Sequence, residues 1–154
     1  MHTLHEKQFL PVTPQVAWEF LSDPANLSRI TPPDMGFETL SGDDRSIFPG
    51  QVIVYNVRPM FGIKVRWVTE ITHVIPGHYF VDEQRFGPYA FWHHKHFIRE
   101  VDGGVEMEDL IHYKLPMGFL GRRLHGWIVR PKLEKIFGYR RTVLDQMFPN
   151  SQNA

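Results

Sequence analysis

Cysteine is absent from the 154 residues of the chain. That absence excludes a disulfide scaffold, thiolate chemistry and zinc sites built from cysteine. Long hydrophobic runs are also missing, since no stretch approaches the ~18 uninterrupted apolar residues that a membrane span requires. The opening segment, MHTLHEKQFL, lacks the basic-then-apolar pattern of a signal peptide. We therefore expect a cytoplasmic protein with no membrane span.

An excess of one charge is the third absence. Lysine plus arginine number 17 and aspartate plus glutamate number 17, so the formal net charge is zero. This balance gives no electrostatic reason to expect a nucleic-acid partner, and the pairs Arg122-Arg123 and Arg140-Arg141 are predicted to lie on a solvated helix face. No phosphate loop, nucleophile motif or complete metal-ligand set is visible, so we predict no cofactor and no metal. The sequence indicates no particular oligomeric state.

The distribution of turn residues predicts the secondary structure. Residues 3–10 alternate and indicate a strand. Thr13-Pro14 and Asp23-Pro24 each place a capping residue before a proline, which predicts two short helices. Residues 37–115 contain about six β-rich runs separated by turn signals, as in an antiparallel meander. Residues 120–148 carry apolar side chains at three- and four-residue steps, which predicts one long helix.

This order of elements predicts an α+β fold. Seven antiparallel strands form a curved sheet whose apolar face needs a cover, and the C-terminal helix is the element long enough to provide it. Two short helices lie between strands 1 and 2, and Pro131 should kink or interrupt the long helix near its middle. We expect one domain over residues 1–149 and a loose tail at 150–154. A sheet wrapped around one helix leaves space that aromatic side chains can line.

Histidine is abundant, with nine in the chain, and three of them fall in the stretch FWHHKHFIRE at positions 91–100. Successive side chains of a strand point to opposite faces. Lys95 shares a face with His93, so that face is predicted to be solvated. His94 and His96 then point inward together with Trp92.

Asp109 is an acid on the otherwise apolar face of the next predicted strand, where an unpaired carboxylate would be costly. Facing positions in a hairpin have a constant sum, and inward residues that are even on one strand and odd on the other require an odd sum. A turn centred on Asp102-Gly103 gives 205, which sets Asp109 opposite His96; a sum of 203 selects His94 instead. We predict an inward hydrogen bond from one of these histidines to Asp109, which favours the protonated imidazole.

Three interpretations of the inward histidines remain open. They are core histidines satisfied by Asp109, Tyr113 or the backbone, or polar anchors in an apolar ligand pocket. The third and weakest is a metal pair, with Asp109 or Glu83 as a further ligand.

Glu83 and Arg85 lie two apart on one strand, and neither face of that strand is cleanly apolar. They either meet Trp92 or His94 across the turn at Gly87-Pro88 or form a solvated ion pair, which would contribute little stability. Trp67 is predicted to face inward from its own strand.

Several stretches resemble one protein superfamily, and the similarity covers nearly the whole chain. They are Thr13-Pro14-x-Val16-Ala17-x-Glu19-Phe20, Asp23-Pro24-Ala25-Asn26-Leu27, Ile30-Thr31-Pro32-Pro33, Arg66-Trp67-Val68-Thr69-x-Ile71, Phe80-Val81-Asp82-Glu83-Gln84, Gly87-Pro88-Tyr89, Trp92-His93-His94-x-His96-x-Ile98 and Asp109-x-Ile111-x-Tyr113-x-Leu115-Pro116-x-Gly118. The chain resembles the START-like (SRPBCC) superfamily with its helix-grip fold, also found in pollen allergens. Within it, the stretches look like bacterial ligand-binding or polyketide cyclase/dehydrase-like proteins. The resemblance implies a cavity between sheet and helix that binds hydrophobic small molecules.

The leading functional hypothesis is the binding of an apolar or amphiphilic small molecule in that cavity, which should measure about 300 Å³ or more. The predicted ligand-binding residues are Trp67, Glu83, Arg85, Trp92, His94, His96, Asp109 and Tyr113. The alternative is a cyclase- or dehydratase-type enzyme in which His94 or His96 is the base and Asp109 orients it. A structural or interaction protein is the third hypothesis. The sequence alone does not decide whether the protein is an enzyme.

Overall fold

Seven strands, each antiparallel to its neighbours, form one sheet in this computed structural model, which describes residues 1–59, 62–116 and 125–149. The strands are β1 (His2–Leu10), β2 (Glu38–Ser41), β3 (Val52–Val57), β4 (Val65–Ile75), β5 (Tyr79–Phe86), β6 (Phe91–Val101) and β7 (Gly104–Lys114). Their spatial order is β1-β7-β6-β5-β4-β3-β2. The N-terminal strand therefore joins the end of a meander that runs from β2 to β7.

Two short helical segments connect β1 to β2, and their capping signals act as predicted. Helix α1 (Pro14–Leu21) begins after Thr13, whose hydroxyl accepts a hydrogen bond from the backbone N–H of Val16 at 3.3 Å. Asp23 caps the next segment (Pro24–Ile30) in the same way, but this segment is a 3₁₀ helix. A further 3₁₀ turn (Pro33–Met35) leads towards β2.

The long C-terminal helix is present as a π-helical turn (His125–Val129) that continues into helix α2 (Arg130–Met147). The first residues of the predicted helix, including Arg122 and Arg123, and the predicted tail at 150–154 lie outside the described residues. Pro131 stands in the first turn of α2. Because proline has no N–H to donate, regular α-helical bonding cannot extend back through it, and the predicted interruption coincides with the change from π to α geometry. None of the described helices is long and apolar enough to cross a membrane.

The register of the β6–β7 hairpin positions the polar residues of the inner face. His96 pairs with Asp109 across the two strands, so the predicted sum of 205 is confirmed. On the same face, Trp92 and Ile111 belong to one apolar cluster, whereas Ile98 and Met107 belong to a second one. His94, His96 and Asp109 thus lie between two apolar clusters.

Candidate functional site

A cavity of about 230 Å³ lies between the inner face of the sheet and α2. Its volume is somewhat below the ~300 Å³ at which small-molecule pockets usually begin. Most of the lining is apolar, and it includes Ile53, Tyr55, Trp67, Ile71, Phe80 and Trp92 from the sheet and Leu133, Ile136 and Phe137 from α2. The polar side chains at the wall include Thr69, Asp82, His94, His96, Lys132 and Arg140. An apolar cavity with a few polar groups is the composition expected of a ligand site.

The structure places four of the predicted ligand-binding residues at the wall of this cavity. They are Trp67, Trp92, His94 and His96. Asp109 and Tyr113 are buried on the same face of the sheet but do not line the cavity. Asp109 instead contacts His94 and His96, which do line the cavity.

The prediction that Glu83 and Arg85 reach the cavity is wrong. Arg85 Nε lies 2.5 Å from Glu70 Oε2, its Nη1 lies 3.2 Å from Glu83 Oε2, and its side chain is 48% exposed. These residues occupy the outer face of β5, because Asp82, the neighbour of Glu83, lines the cavity and successive side chains of a strand point to opposite faces. The alternative interpretation, a solvated ion pair, describes their arrangement.

Asp82 is the inward acid that the sequence did not reveal. It pairs with His94 in the β5–β6 register, and its Oδ2 lies 2.6 Å from His96 Nε2 and 3.4 Å from His94 Nδ1. Neither face of β5 is cleanly apolar, so alternation alone could not assign its inward face. The position of β5 in the meander is a usable signal. β5 pairs with β6, so an inward acid on β5 has the two inward histidines of β6 as its nearest polar partners.

Asp109 lies on the opposite side of the two imidazoles. The Nε2–H of His94 donates to Asp109 Oδ1 at 2.9 Å. His96 Nδ1 lies 3.0 Å from the same oxygen but makes no hydrogen bond of good geometry to it. The two rings lie with centroids 3.6 Å apart, and Phe80 stacks on His96 at 4.1 Å. The two carboxylates thus enclose a closely packed imidazole pair.

Arg140 supplies the positive charge of this cluster from α2. Its Nη1 lies 3.1 Å from Asp109 Oδ1, and only 10% of its side chain is exposed. The prediction that Arg140 lies on a solvated face is therefore wrong, whereas Arg141 is exposed. Helical phase explains the difference, because Arg140 follows Leu133 by seven residues and precedes Leu144 by four, and both leucines are buried.

Burial and charge act in opposite directions on the acids. Burial alone would raise the pKa of Asp109, but the charge of Arg140, the hydrogen bond from His94 and the close contact with His96 overcome it and hold that pKa well below its ordinary value. Burial also opposes ionisation of Asp82, whose pKa is nevertheless lowered by His94 and His96. Both carboxyl groups are therefore ionised at neutral pH.

The two histidines shift in opposite directions. Burial, followed by the charge of His96, lowers the pKa of His94 in spite of both carboxylates. Burial would lower the pKa of His96 as well, but its contacts with Asp109 and Asp82 outweigh that effect and raise it. When the pair takes up one proton beyond the neutral state, we therefore expect that proton on His96. The expectation that a carboxylate favours the protonated imidazole thus describes His96 and fails for His94.

Trp67 lines the cavity and carries a buried hydrogen-bond donor that is not used. Its side chain is buried against the rings of Tyr55, Tyr89 and Trp92. The indole Nε1 has no hydrogen-bond partner among the described residues. A buried donor without a partner costs about 1–3 kcal/mol.

Comparisons with known proteins define the class of fold. No family model matches the chain, and no curated protein matches it. Solved structures do match. Protein Ms6760 from Mycobacterium smegmatis has a TM-score of 0.66 at 18% identity, covering 94% of this chain and 92% of that one. TTHA0849 from Thermus thermophilus has a TM-score of 0.68 at 12% identity, with coverages of 94% and 95%.

A third similar structure is Ara h 8.0201, with a TM-score of 0.59 at 19% identity over 93% of this chain and 97% of that one. At these identities the similarity shows the fold alone. The curved seven-stranded sheet, the long C-terminal helix and the short helices between the first two strands confirm the helix-grip fold.

Proposed function

We propose that the protein binds a small, mostly apolar molecule with an oxygen-bearing head group in the cavity between the sheet and α2. The observation that carries the proposal is an apolar cavity with Asp82, His94 and His96 at its wall. The helix-grip fold fits a general role in binding hydrophobic molecules. The resemblance to bacterial ligand-binding or polyketide cyclase/dehydrase-like members of the START-like superfamily supports the same proposal.

The size and polarity of the cavity narrow the ligand class. A cavity of about 150 Å³ is sufficient for benzene, so about 230 Å³ accommodates one ring or a short chain with a substituent. The apolar part would contact residues such as Ile53 and Leu133. The head group would meet the imidazole of His96 at the polar part of the wall.

The first test is native mass spectrometry of protein purified without a tag, to detect a co-purified ligand. In the second, the backbone amide signals of the protein are followed by NMR during titration with benzyl alcohol, benzoate and toluene. We expect shifts at cavity residues and tighter binding of the two oxygen-bearing probes than of toluene.

Two variants make the titration decisive. Ile136→Trp fills the cavity from α2 and should abolish probe binding. Val52→Trp, at an exposed position of β3, is the matched control and should bind as the wild type does. Equal binding by the two variants, or shifts confined to the surface in the wild type, would contradict the proposal.

A second candidate function rests on the orientation of His94. Because its Nε2–H donates to Asp109, the ring is held with Nδ1 as the unprotonated nitrogen, 3.4 Å from Asp82 Oδ2, and a general base acting on a carbonyl substrate requires such a nitrogen. Aldol-type cyclisation and dehydration are reactions of this kind. If turnover of such a substrate is found, Asp109→Asn should abolish it, and unchanged turnover would remove this mechanism.

A further inference from the structure

Three metal-ligating side chains converge at the cavity wall. Asp82, His94 and His96 each offer one ligand atom, and these atoms all lie within 4.8 Å of one another. We infer that Asp82 Oδ2, His94 Nδ1 and His96 Nε2 bind a divalent first-row transition-metal ion of the zinc type. This inference goes beyond the proposed function, because it adds a bound cation at the polar part of the cavity.

The distances fit such an ion after small movements. Asp82 Oδ2 lies 3.4 Å from His94 Nδ1 and 2.6 Å from His96 Nε2. Ligands at about 2.0–2.1 Å from a tetrahedral zinc ion stand about 3.3 Å from each other. The first pair is already at that spacing, the second must open by about 0.7 Å to reach it, and the third pair, between the two imidazoles, lies within 4.8 Å. Two imidazoles and one carboxylate are a donor set that zinc and ferrous ions share.

Asp109 is placed as an outer partner of the site. Its Oδ1 accepts the Nε2–H of His94 at 2.9 Å. That bond leaves Nδ1 of His94 as the nitrogen directed at Asp82. Metal-binding histidines almost always donate their second ring N–H to a carboxylate or carbonyl group in this way. Arg140, 3.1 Å from the same oxygen, fixes the carboxylate in turn.

The charge of the cluster also accommodates a cation. Asp82 and Asp109 contribute two negative charges, and Arg140 and the proton on His96 balance them. A divalent ion bound at His96 Nε2 in place of that proton leaves one positive charge overall. Three protein ligands leave one tetrahedral position open. An anionic oxygen of a cavity ligand fits both the open position and the remaining charge.

The test uses tag-free protein treated with a chelator, dialysed and titrated with ZnCl2 by calorimetry, and with CoCl2 by visible absorption. We expect one ion per chain and a tetrahedral cobalt spectrum. Asp82→Asn, His94→Gln and His96→Gln should each weaken zinc binding by more than about 100-fold, and Asp109→Asn by about 10- to 100-fold. His93→Gln is the matched control on the same strand, since His93 lies on the other face, and it should bind as the wild type does.

Absence of one-to-one binding in the wild type would overturn the inference, and so would an equal loss in His93→Gln and His96→Gln. If a cluster variant fails to fold, the wild-type protein still decides. Zinc should shift the ring NMR signals of His94 and His96 and leave those of His93 and His112 in place, and the reverse pattern refutes the site. Binding of benzyl alcohol in the presence of a chelator is measured separately, so the proposed function can stand where the metal site fails.

Discussion

Glu108 and Asp109 are neighbours in the chain that lie on opposite faces of β7, and each has an arginine and histidine as partners. On the outer face, Glu108 contacts His5 and Arg99, whose side chains are 49% and 48% exposed. On the inner face, Asp109 contacts His94 and Arg140, whose side chains are 8% and 10% exposed. The two carboxylates are almost equally buried, with 10% and 8% of their side chains exposed, so the difference lies in their partners, which are half exposed on the outer face and buried on the inner one.

The comparison shows why only the inner cluster is a candidate functional site. The partners of Glu108 remain hydrated, so breaking their contacts returns them to water at little cost. The partners of Asp109 are buried, so the charge of Arg140 would not be rehydrated if Asp109 lost its own charge. Equivalent substitutions at Glu108 and Asp109 should therefore change the free energy of unfolding by very different amounts.

The largest effect is expected for Asp109→Asn. It leaves the buried guanidinium of Arg140 without its counter-charge, and breaking a buried pair in this way costs about 3–5 kcal/mol. The free energy of unfolding, measured by urea denaturation in a chelator, should fall by that amount. Glu108→Gln is the matched change one residue away. If both variants lost the same stability, the distinction between the two faces would be wrong.

The coupling between Asp109 and Arg140 gives the next effect in size. Arg140→Met replaces the arginine with an apolar side chain of similar length beside Phe137, which Arg140 already contacts. In the double variant Asp109→Asn, Arg140→Met, no charge is left unpaired between these positions. We expect the double variant to be more stable than Asp109→Asn alone, with a coupling energy of about 1–3 kcal/mol. Additive losses in urea denaturation would show that the two side chains act independently.

The odd or even position numbers of the inward residues explain which parts of the inner cluster could be predicted. The Asp-Gly-Gly turn fixes the hairpin sum, and the sum fixes His96 opposite Asp109. Asp82 was missed because β5 has mixed character on both faces, and its pairing with β4 is irregular between Ile71 and His73. The same ambiguity led to the wrong placement of Glu83 and Arg85.

Arg140 was missed for a different reason. A charge beside another charge in a helix suggests a solvated face, but the phase set by Leu133 and Leu144 points Arg140 inward. Its tolerance of burial depends on Asp109, which comes from a strand 31 residues earlier in the chain. The local sequence pattern predicts the direction of the Arg140 side chain. The counter-charge that permits its burial comes from a distant part of the chain and is known only from the tertiary structure.

The smallest effect is expected for Glu108→Gln, and it depends on pH. The hydrogen bond from Arg99 lowers the pKa of Glu108 below its ordinary value of 4.5 against the opposing effect of burial, with His5 and Lys7 as further causes. A carboxyl group whose pKa is lower in the folded state stabilises the protein above its unfolded pKa, and this contribution disappears as the pH falls through the folded value. Wild type and Glu108→Gln should therefore differ by about 1 kcal/mol or less at neutral pH, because Arg99 and His5 are half exposed.

The difference should shrink steadily below about pH 4.5 and vanish once Glu108 is protonated in both states. Urea denaturation of the two proteins at a series of pH values measures it, and about 1 M NaCl should reduce the neutral-pH difference further, because the partners are within reach of salt. A difference that grew on acidification would mean that burial, and not Arg99, dominates the ionisation of Glu108. Glu108 would then ionise as a buried carboxyl group without an effective partner, and the proposed difference between the outer and inner partners would not hold.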